Sequence, residues 1–116
     1  MGMSRRAERV ASLIQKETNL ILQKKIRTDN VGLITLTNVE LTNDLQHAKI
    51  YYSVYGSEEN RKSAATLLNK LTPSIRYQIG QRIKLRLTPE LMFRYDNTIE
   101  HAAQIDELFN KIHKET

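Results

Sequence analysis

The fold is decided by residues 33–54, which read LITLTNVELTNDLQHAKIYYSV. Over residues 33–41, β-branched side chains are abundant and the alternation has the period of two that is typical of a strand. The same alternation returns over residues 48–54, after a polar turn at Asn43-Asp44. Two alternating segments joined by a short polar connection predict an antiparallel β-hairpin.

A helical pattern precedes the hairpin. Ser4 can cap a first helix, and Glu8 in its first turn favours the positive end of the helix dipole. The expected buried line is Val10, Ile14, Glu17 and Ile21, widened by Leu13 and Leu20. Asp29-Asn30 and Gly32 then predict a turn before the first strand.

Two further helices are predicted after the hairpin. Ser57 can cap the first of them, whose buried face would be Ala64, Leu67, Leu68 and Leu71. Because proline lacks the helical N–H and restricts the residue before it, Thr72-Pro73 should end that helix and begin the next. The next helix would bury Ile75, Ile79 and Ile83. We therefore expect a tight elbow at Leu71, Thr72 and Pro73.

The remaining chain predicts a third strand and a final helix. Leu85, Leu87, Leu91, Phe93 and Tyr95 are the expected apolar positions of the strand. Asn97 with Glu100 resembles a capping box for a helix burying Ile99, Ala102, Ile105, Leu108 and Ile112. The order α-β-β-α-α-β plus a C-terminal helix predicts an α+β domain with helices on one face of a three-stranded mixed sheet.

Composition restricts the classes of function. A chain of 116 residues with 40% hydrophobic and 27% charged residues is expected to form one soluble domain, with its core over about residues 4–112. No apolar run approaches the length needed to span a bilayer, and we expect that the polar N-terminal segment is not a secretory signal. Without cysteine, a reducing cytoplasm is the simplest location. The four glycines are scattered and the three histidines lack metal-ligand spacing, so we expect no cofactor, no metal and no enzyme activity.

Charge is segregated along the chain. Residues 1–27 and 70–94 each carry a net charge of +5, whereas residues 28–69 and 95–116 carry −2 and −3. Such segregation predicts a positive surface that meets a polyanion, and tyrosines at 51, 55 and 77 could stack on bases. If residues 82–87 are extended, their cations share one face and their aliphatic side chains point inward. The candidate RNA-binding residues are Arg76, Arg82, Lys84, Arg86 and Arg94, followed by Arg5, Arg6, Arg9, Lys24, Lys25 and Arg27.

Several short motifs of the sequence resemble those of one family. Four segments occur in the order and spacing of ribosome-binding factor A: RAERVA at residues 6–11, VELTND at 39–44, and the segments 80–86 and 89–96. The chain therefore resembles this family of bacterial small-subunit assembly factors from about Ser4 to Ile112. The resemblance implies a KH-like RNA-binding domain spanning residues 1–116.

The resemblance also implies a function. We expect a non-catalytic factor that binds the small ribosomal subunit and its 16S rRNA during late assembly and rRNA processing, with a role in cold adaptation. We expect a cytoplasmic monomer with no membrane partner and no small-molecule substrate. KH modules clamp single strands with a Gly-x-x-Gly loop, which the family replaces with an Ala-x-Gly kink. Here Leu71-Thr72-Pro73 stands at that place, so the elbow should shape the site more than contact RNA.

RNA binding has two alternatives, of which only the first remains open. One is a KH-like protein-interaction module that binds an acidic protein, and the other is a small nuclease. Nuclease treatment distinguishes the first alternative from RNA binding, because it should release the protein from its complex only if RNA holds it there. The second lacks any acidic metal cluster or paired histidines in the sequence.

Overall fold

The computed structural model describes residues 2–25 and 32–97. Its elements are α1 (Arg5–Lys25), β1 (Leu33–Leu41), β2 (His47–Tyr55), α2 (Glu58–Arg82) and β3 (Glu90–Tyr95). The sheet has the order β1-β2-β3, with β1 antiparallel and β3 parallel to the central strand β2. The predicted α+β class, with helices on one face of a mixed three-stranded sheet, is confirmed, and so is the hairpin.

Alternation along the strands gives the sheet one covered and one open face. On β2, Ala48, Ile50, Tyr52 and Val54 are buried beneath the helices, whereas the residues between them are exposed or half-buried. A bulge between Leu36 and Asn38 shifts the register of β1, so that Val39 and Leu41 return to the covered face. The other face is open in the described part of the chain, since the alternate positions of all three strands are exposed or half-buried.

Helix α1 buries the predicted line of Val10, Ile14 and Ile21, but its buried stripe widens on the side opposite to the predicted one. The Ser4 side chain accepts from the Ala7 backbone N–H at 3.1 Å, which confirms the N-cap. Its buried residues are Ala7, Val10, Ala11, Ile14, Thr18, Ile21 and Leu22. Leu13 and Leu20 are 43% and 39% exposed, so they lie outside the core. The prediction failed there because it followed the larger apolar side chains, whereas close packing on the sheet favours the small ones beside Ile14.

Residues 58–82 form one continuous helix, so the predicted division into two helices at Pro73 is wrong. The predicted cap at Ser57 is present as a full capping box with Asn60. Pro73 removes one backbone donor, yet helical geometry continues on both sides. Thr72 does not cap a new helix, since its hydroxyl donates back to the Leu68 carbonyl at 2.7 Å. Burial of Leu68 and Ile75 on either side of the proline holds the helix together across it.

The segment after α2 is a packed loop rather than the beginning of the third strand. Ile83 is buried and Leu85 is half-buried, but Leu87 is 63% exposed, so the expected inward row of aliphatics is interrupted. The loop returns over α2 at Gly80, where an added Cβ would lie 2.7 Å from Thr88 Oγ1. Pro89 is fully buried, and β3 begins at the next residue. The predicted final helix, with Ile99, Ala102, Ile105, Leu108 and Ile112, lies outside the described residues.

Candidate nucleic-acid interface

The two basic segments of the sequence meet along one side of α1. Glu17 Oε2 accepts a hydrogen bond from Arg82 Nη1 at 3.0 Å, and the two side chains form an ion pair. This contact joins α1 to the last turn of α2. Helical spacing places Arg6, Leu13 and Lys24 on the same line of α1 as Glu17. That line therefore faces the end of α2 and the loop that follows it. This contact between two residues that are 65 positions apart in sequence brings the two basic segments together.

A groove at the start of α1 adds a second meeting point. Arg6 lines it from α1, Arg86 lines it from the loop after α2, and the β1–β2 turn forms its floor. Its volume is about 600 Å³. Neither arginine has a hydrogen-bond or ion-pair partner among residues 2–25 and 32–97, so both guanidinium groups can bind a ligand.

We call this surface the basic strip. It comprises Arg6, Arg9, Lys24, Arg82, Lys84 and Arg86, all of them exposed. Arg5 adjoins it at the first residue of α1. Only Glu17, which Arg82 neutralises, is an acidic member of the α1 line that faces α2. The strip therefore offers several exposed cations to a polyanion.

Arg76 has a structural role. Its Nε donates to the Pro89 carbonyl at 3.0 Å and its Nη2 donates to the Thr88 carbonyl at 2.8 Å. These two bonds fasten the chain just before β3 onto α2. The sequence indicated a cation at this position but not this use of it, because a partner 12 or 13 residues away depends on how the loop folds back.

Arg94 lies on the opposite side of the molecule from the basic strip. It is exposed on β3 in register with Tyr51, and it alternates with the half-buried Phe93 and Tyr95. That alternation directs Arg94 to the open face of the sheet. The predicted band from Arg76 to Arg94 therefore divides into a clamp, part of the basic strip and one residue on the far face.

The remaining candidates divide between the middle of α2 and the end of α1. Leu71 and Thr72 are half-buried and Pro73 is exposed within α2, away from the groove lined by Arg6 and Arg86. Lys25 is the last residue of α1, and its side chain is not among those that the structure describes. Arg27 lies outside the described residues.

The β1–β2 turn supplies polar groups that the sequence reading did not select. Asp44 Oδ1 accepts from Thr42 Oγ1 at 2.5 Å and from the Gln46 backbone N–H at 3.1 Å. These two bonds lower the pKa of Asp44, so its carboxylate is ionised at neutral pH. Leu45 has a positive φ of 61° and turns the chain back toward β2. An Asn-Asp pair marks a turn in sequence, but its proximity to Arg6 and Arg86 is set by tertiary packing.

Residues 2–25 and 32–97 contain neither a cluster of metal ligands nor a membrane-spanning helix. No group of three or more His, Asp or Glu residues in them could hold a metal ion. Among the helices they contain, none has the length and apolar character needed to cross a bilayer.

The sequence matches one family of known proteins over most of its length. The model of the family "Ribosome-binding factor A" matches residues 6–109. A ribosome-binding factor A from Halothermothrix orenii is 44% identical over 110 residues, covering 95% of this chain and 90% of that relative. One from Desulforamulus reducens is 41% identical and covers 97% and 94%, respectively.

Solved structures show the same fold. The solution structure of a Thermotoga maritima protein superposes with a TM-score of 0.70 at 31% identity, covering 83% of this chain and 92% of that one. The crystal structure of ribosome-binding factor A from Thermus thermophilus gives 0.66 at 19% identity, with 77% and 94% covered. A homology model of the Thermus factor, fitted into a cryo-electron-microscopy map of a 30S complex, gives 0.58 at 20%, with 75% and 94% covered.

Proposed function

This chain belongs to the ribosome-binding factor A family, and on that premise we propose that it binds the small ribosomal subunit through RNA contacts made by the basic strip. The observation that carries the proposal is the union of two basic segments on one surface, through Arg82–Glu17 and through the groove between Arg6 and Arg86. The Thermus factor fitted into a map of a 30S complex supports the choice of partner.

The chemistry of the basic strip suits the sugar-phosphate backbone of RNA. Guanidinium groups bind phosphate oxygens in a bidentate manner, and each contact releases condensed counterions. Such contacts give affinity and orientation with little sequence information. The protein would therefore recognise the shape of folded rRNA, while specificity for a particular site requires contacts of another kind.

We propose a non-catalytic mechanism for the action on the subunit. A factor that binds one rRNA conformation more tightly than another shifts the population toward it by no more than the difference in binding free energy. The finer role proposed here is in late assembly and 16S rRNA processing, with importance for growth in the cold. We propose that the protein acts as a cytoplasmic monomer without a cofactor.

Salt dependence tests this proposal. With about four phosphate contacts, we expect the affinity for purified small subunits to fall about 100-fold between 50 and 200 mM monovalent salt, because the logarithmic slope is about −0.9 per contact. Arg9→Gln should reduce the slope by about one. The measurement is co-sedimentation over a series of salt concentrations at constant magnesium concentration.

The control variant is Lys62→Gln, an exposed cation of α2 that should leave the slope unchanged. An affinity that hardly responds to salt would contradict phosphate binding. The protein-interaction alternative is tested on the same complex, since nuclease digestion should release the protein only if RNA holds it.

A further inference from the structure

The groove between Arg6 and Arg86 differs from the rest of the basic strip because its wall is mixed. Besides the two arginines it is lined by Asn43, Asp44, Leu45, Gln46, Leu85 and Leu87. Its volume of about 600 Å³ falls within the range of about 300–1,000 Å³ that is usual for small-ligand clefts. A site that only held phosphates would need neither an apolar wall nor a carboxylate.

The carboxylate is the informative group. Asp44 is ionised and repels phosphate, yet it lies in a groove that two arginines line. Its Oδ1 is occupied by Thr42 and by the Gln46 backbone, while Oδ2 accepts no hydrogen bond from the described residues. An ionised carboxylate can only accept hydrogen bonds, so its ligand partner must present N–H or O–H donors.

The apolar wall supplies the second requirement. Leu87 is 63% exposed, and together with the half-buried Leu85 it gives the groove an aliphatic wall. The planar face of a base would fit against it.

We propose that this groove binds one unpaired guanosine of an RNA strand, with Arg6 and Arg86 contacting the phosphates on either side of it. Guanine presents N1–H and its 2-amino group side by side on its Watson–Crick edge, where Asp44 Oδ2 can accept from them. The exposed Gln46 amide can donate to O6, and Leu85 and Leu87 contact the base face. In this arrangement a strand supplies a phosphate to each of the two arginines, whereas a nucleoside monophosphate supplies one phosphate only.

This inference rests on the proposed function, because the basic strip must first hold the RNA. It adds the base specificity that phosphate contacts alone do not give, because unpaired bases are the part of folded RNA whose edges a protein can read. Uracil and adenine do not place two adjacent donors on that edge, so they should bind less tightly.

The test compares two RNA hairpins that differ only in one bulged guanosine, by fluorescence anisotropy at 100 mM salt. We expect the wild-type protein to bind the bulged hairpin about 10-fold more tightly. Asp44→Asn keeps an acceptor for the turn but removes the acceptor-only carboxylate, so the preference should disappear without weaker binding to the plain hairpin. Leu87→Ala, at an exposed position that cannot affect folding much, should reduce the preference about 3-fold or more. Glu59→Gln, in the first turn of α2, removes an equal charge elsewhere and should change nothing.

Two outcomes would overturn the inference: equal binding of both hairpins by the wild type, or an undiminished preference in both Asp44→Asn and Leu87→Ala. A bulged uridine or adenosine bound as tightly as guanosine would overturn the choice of base and with it the role of Asp44. If the preference is absent while small subunits still bind with strong salt dependence, the inference alone fails. If subunit binding is also insensitive to salt, the proposed function fails with it.

Discussion

The triple variant Arg6→Glu, Lys84→Glu, Arg86→Glu is expected to lose about 1,000-fold or more in affinity for small ribosomal subunits. Each reversal replaces an attraction to phosphate by a repulsion, and like charges brought together in an interface cost several kcal/mol. A tenfold loss for each of the three sites corresponds to about 1.4 kcal/mol per site. The protein should remain folded, because all three side chains are exposed and none is bonded to another described residue. Co-sedimentation at 100 mM salt measures the loss, with circular dichroism as the check on folding.

The matched control reverses three exposed cations elsewhere: Lys62→Glu, Lys70→Glu and Arg94→Glu. It has the same net charge as the first variant, so any effect of overall charge on association is equal in both. We expect a loss below about 10-fold. Equal losses in the two variants would show that total charge, not the basic strip, governs binding.

The second large effect is on stability. Arg76→Ala should lower the free energy of unfolding by about 2–3 kcal/mol, because it removes two charge-assisted hydrogen bonds and leaves the Thr88 and Pro89 carbonyls without them. Pro89 is fully buried, so water cannot readily replace the lost donor there. Urea unfolding followed by tyrosine fluorescence measures the change.

Arg76→Lys separates the stabilising role of this side chain from the RNA contact that the sequence predicts for it. Lysine keeps the charge but cannot reproduce the fork that reaches both carbonyls, so most of the stability loss should persist while subunit binding by the folded protein is nearly unchanged. If Arg76→Ala unfolds like the wild type and binds subunits much more weakly, Arg76 is a phosphate contact and not a clamp.

The fold was largely predictable from local patterns. Period-two alternation located β1 and β2 within a residue or two, and the caps at Ser4 and Ser57 were both found. The error at Pro73 has a general cause, since the lost hydrogen bond is a local penalty whereas burial of Leu68 and Ile75 is tertiary. The sequence alone does not show whether the local penalty of the proline or the burial of its neighbours is larger.

The candidate site was predictable in kind but not in arrangement. The sequence identified two basic segments, and their union depends on contacts such as Arg82 with Glu17. It could not distinguish an arginine that clamps a loop from one that faces solvent, because both lie among similar neighbours in the chain. Arg76 and Arg94 illustrate the difference, as does Asp44, whose place beside Arg6 and Arg86 only the folded chain reveals.

The most direct test of the central claim is ultraviolet crosslinking of the wild-type protein to 16S rRNA in assembled complexes, followed by mass spectrometry of the crosslinked peptides. We expect crosslinked peptides from residues 5–24 and 82–87, and none from β3 around Arg94. Crosslinks concentrated on the open face of the sheet, with α1 and the loop after α2 free of them, would show that the basic strip is not the RNA-binding surface.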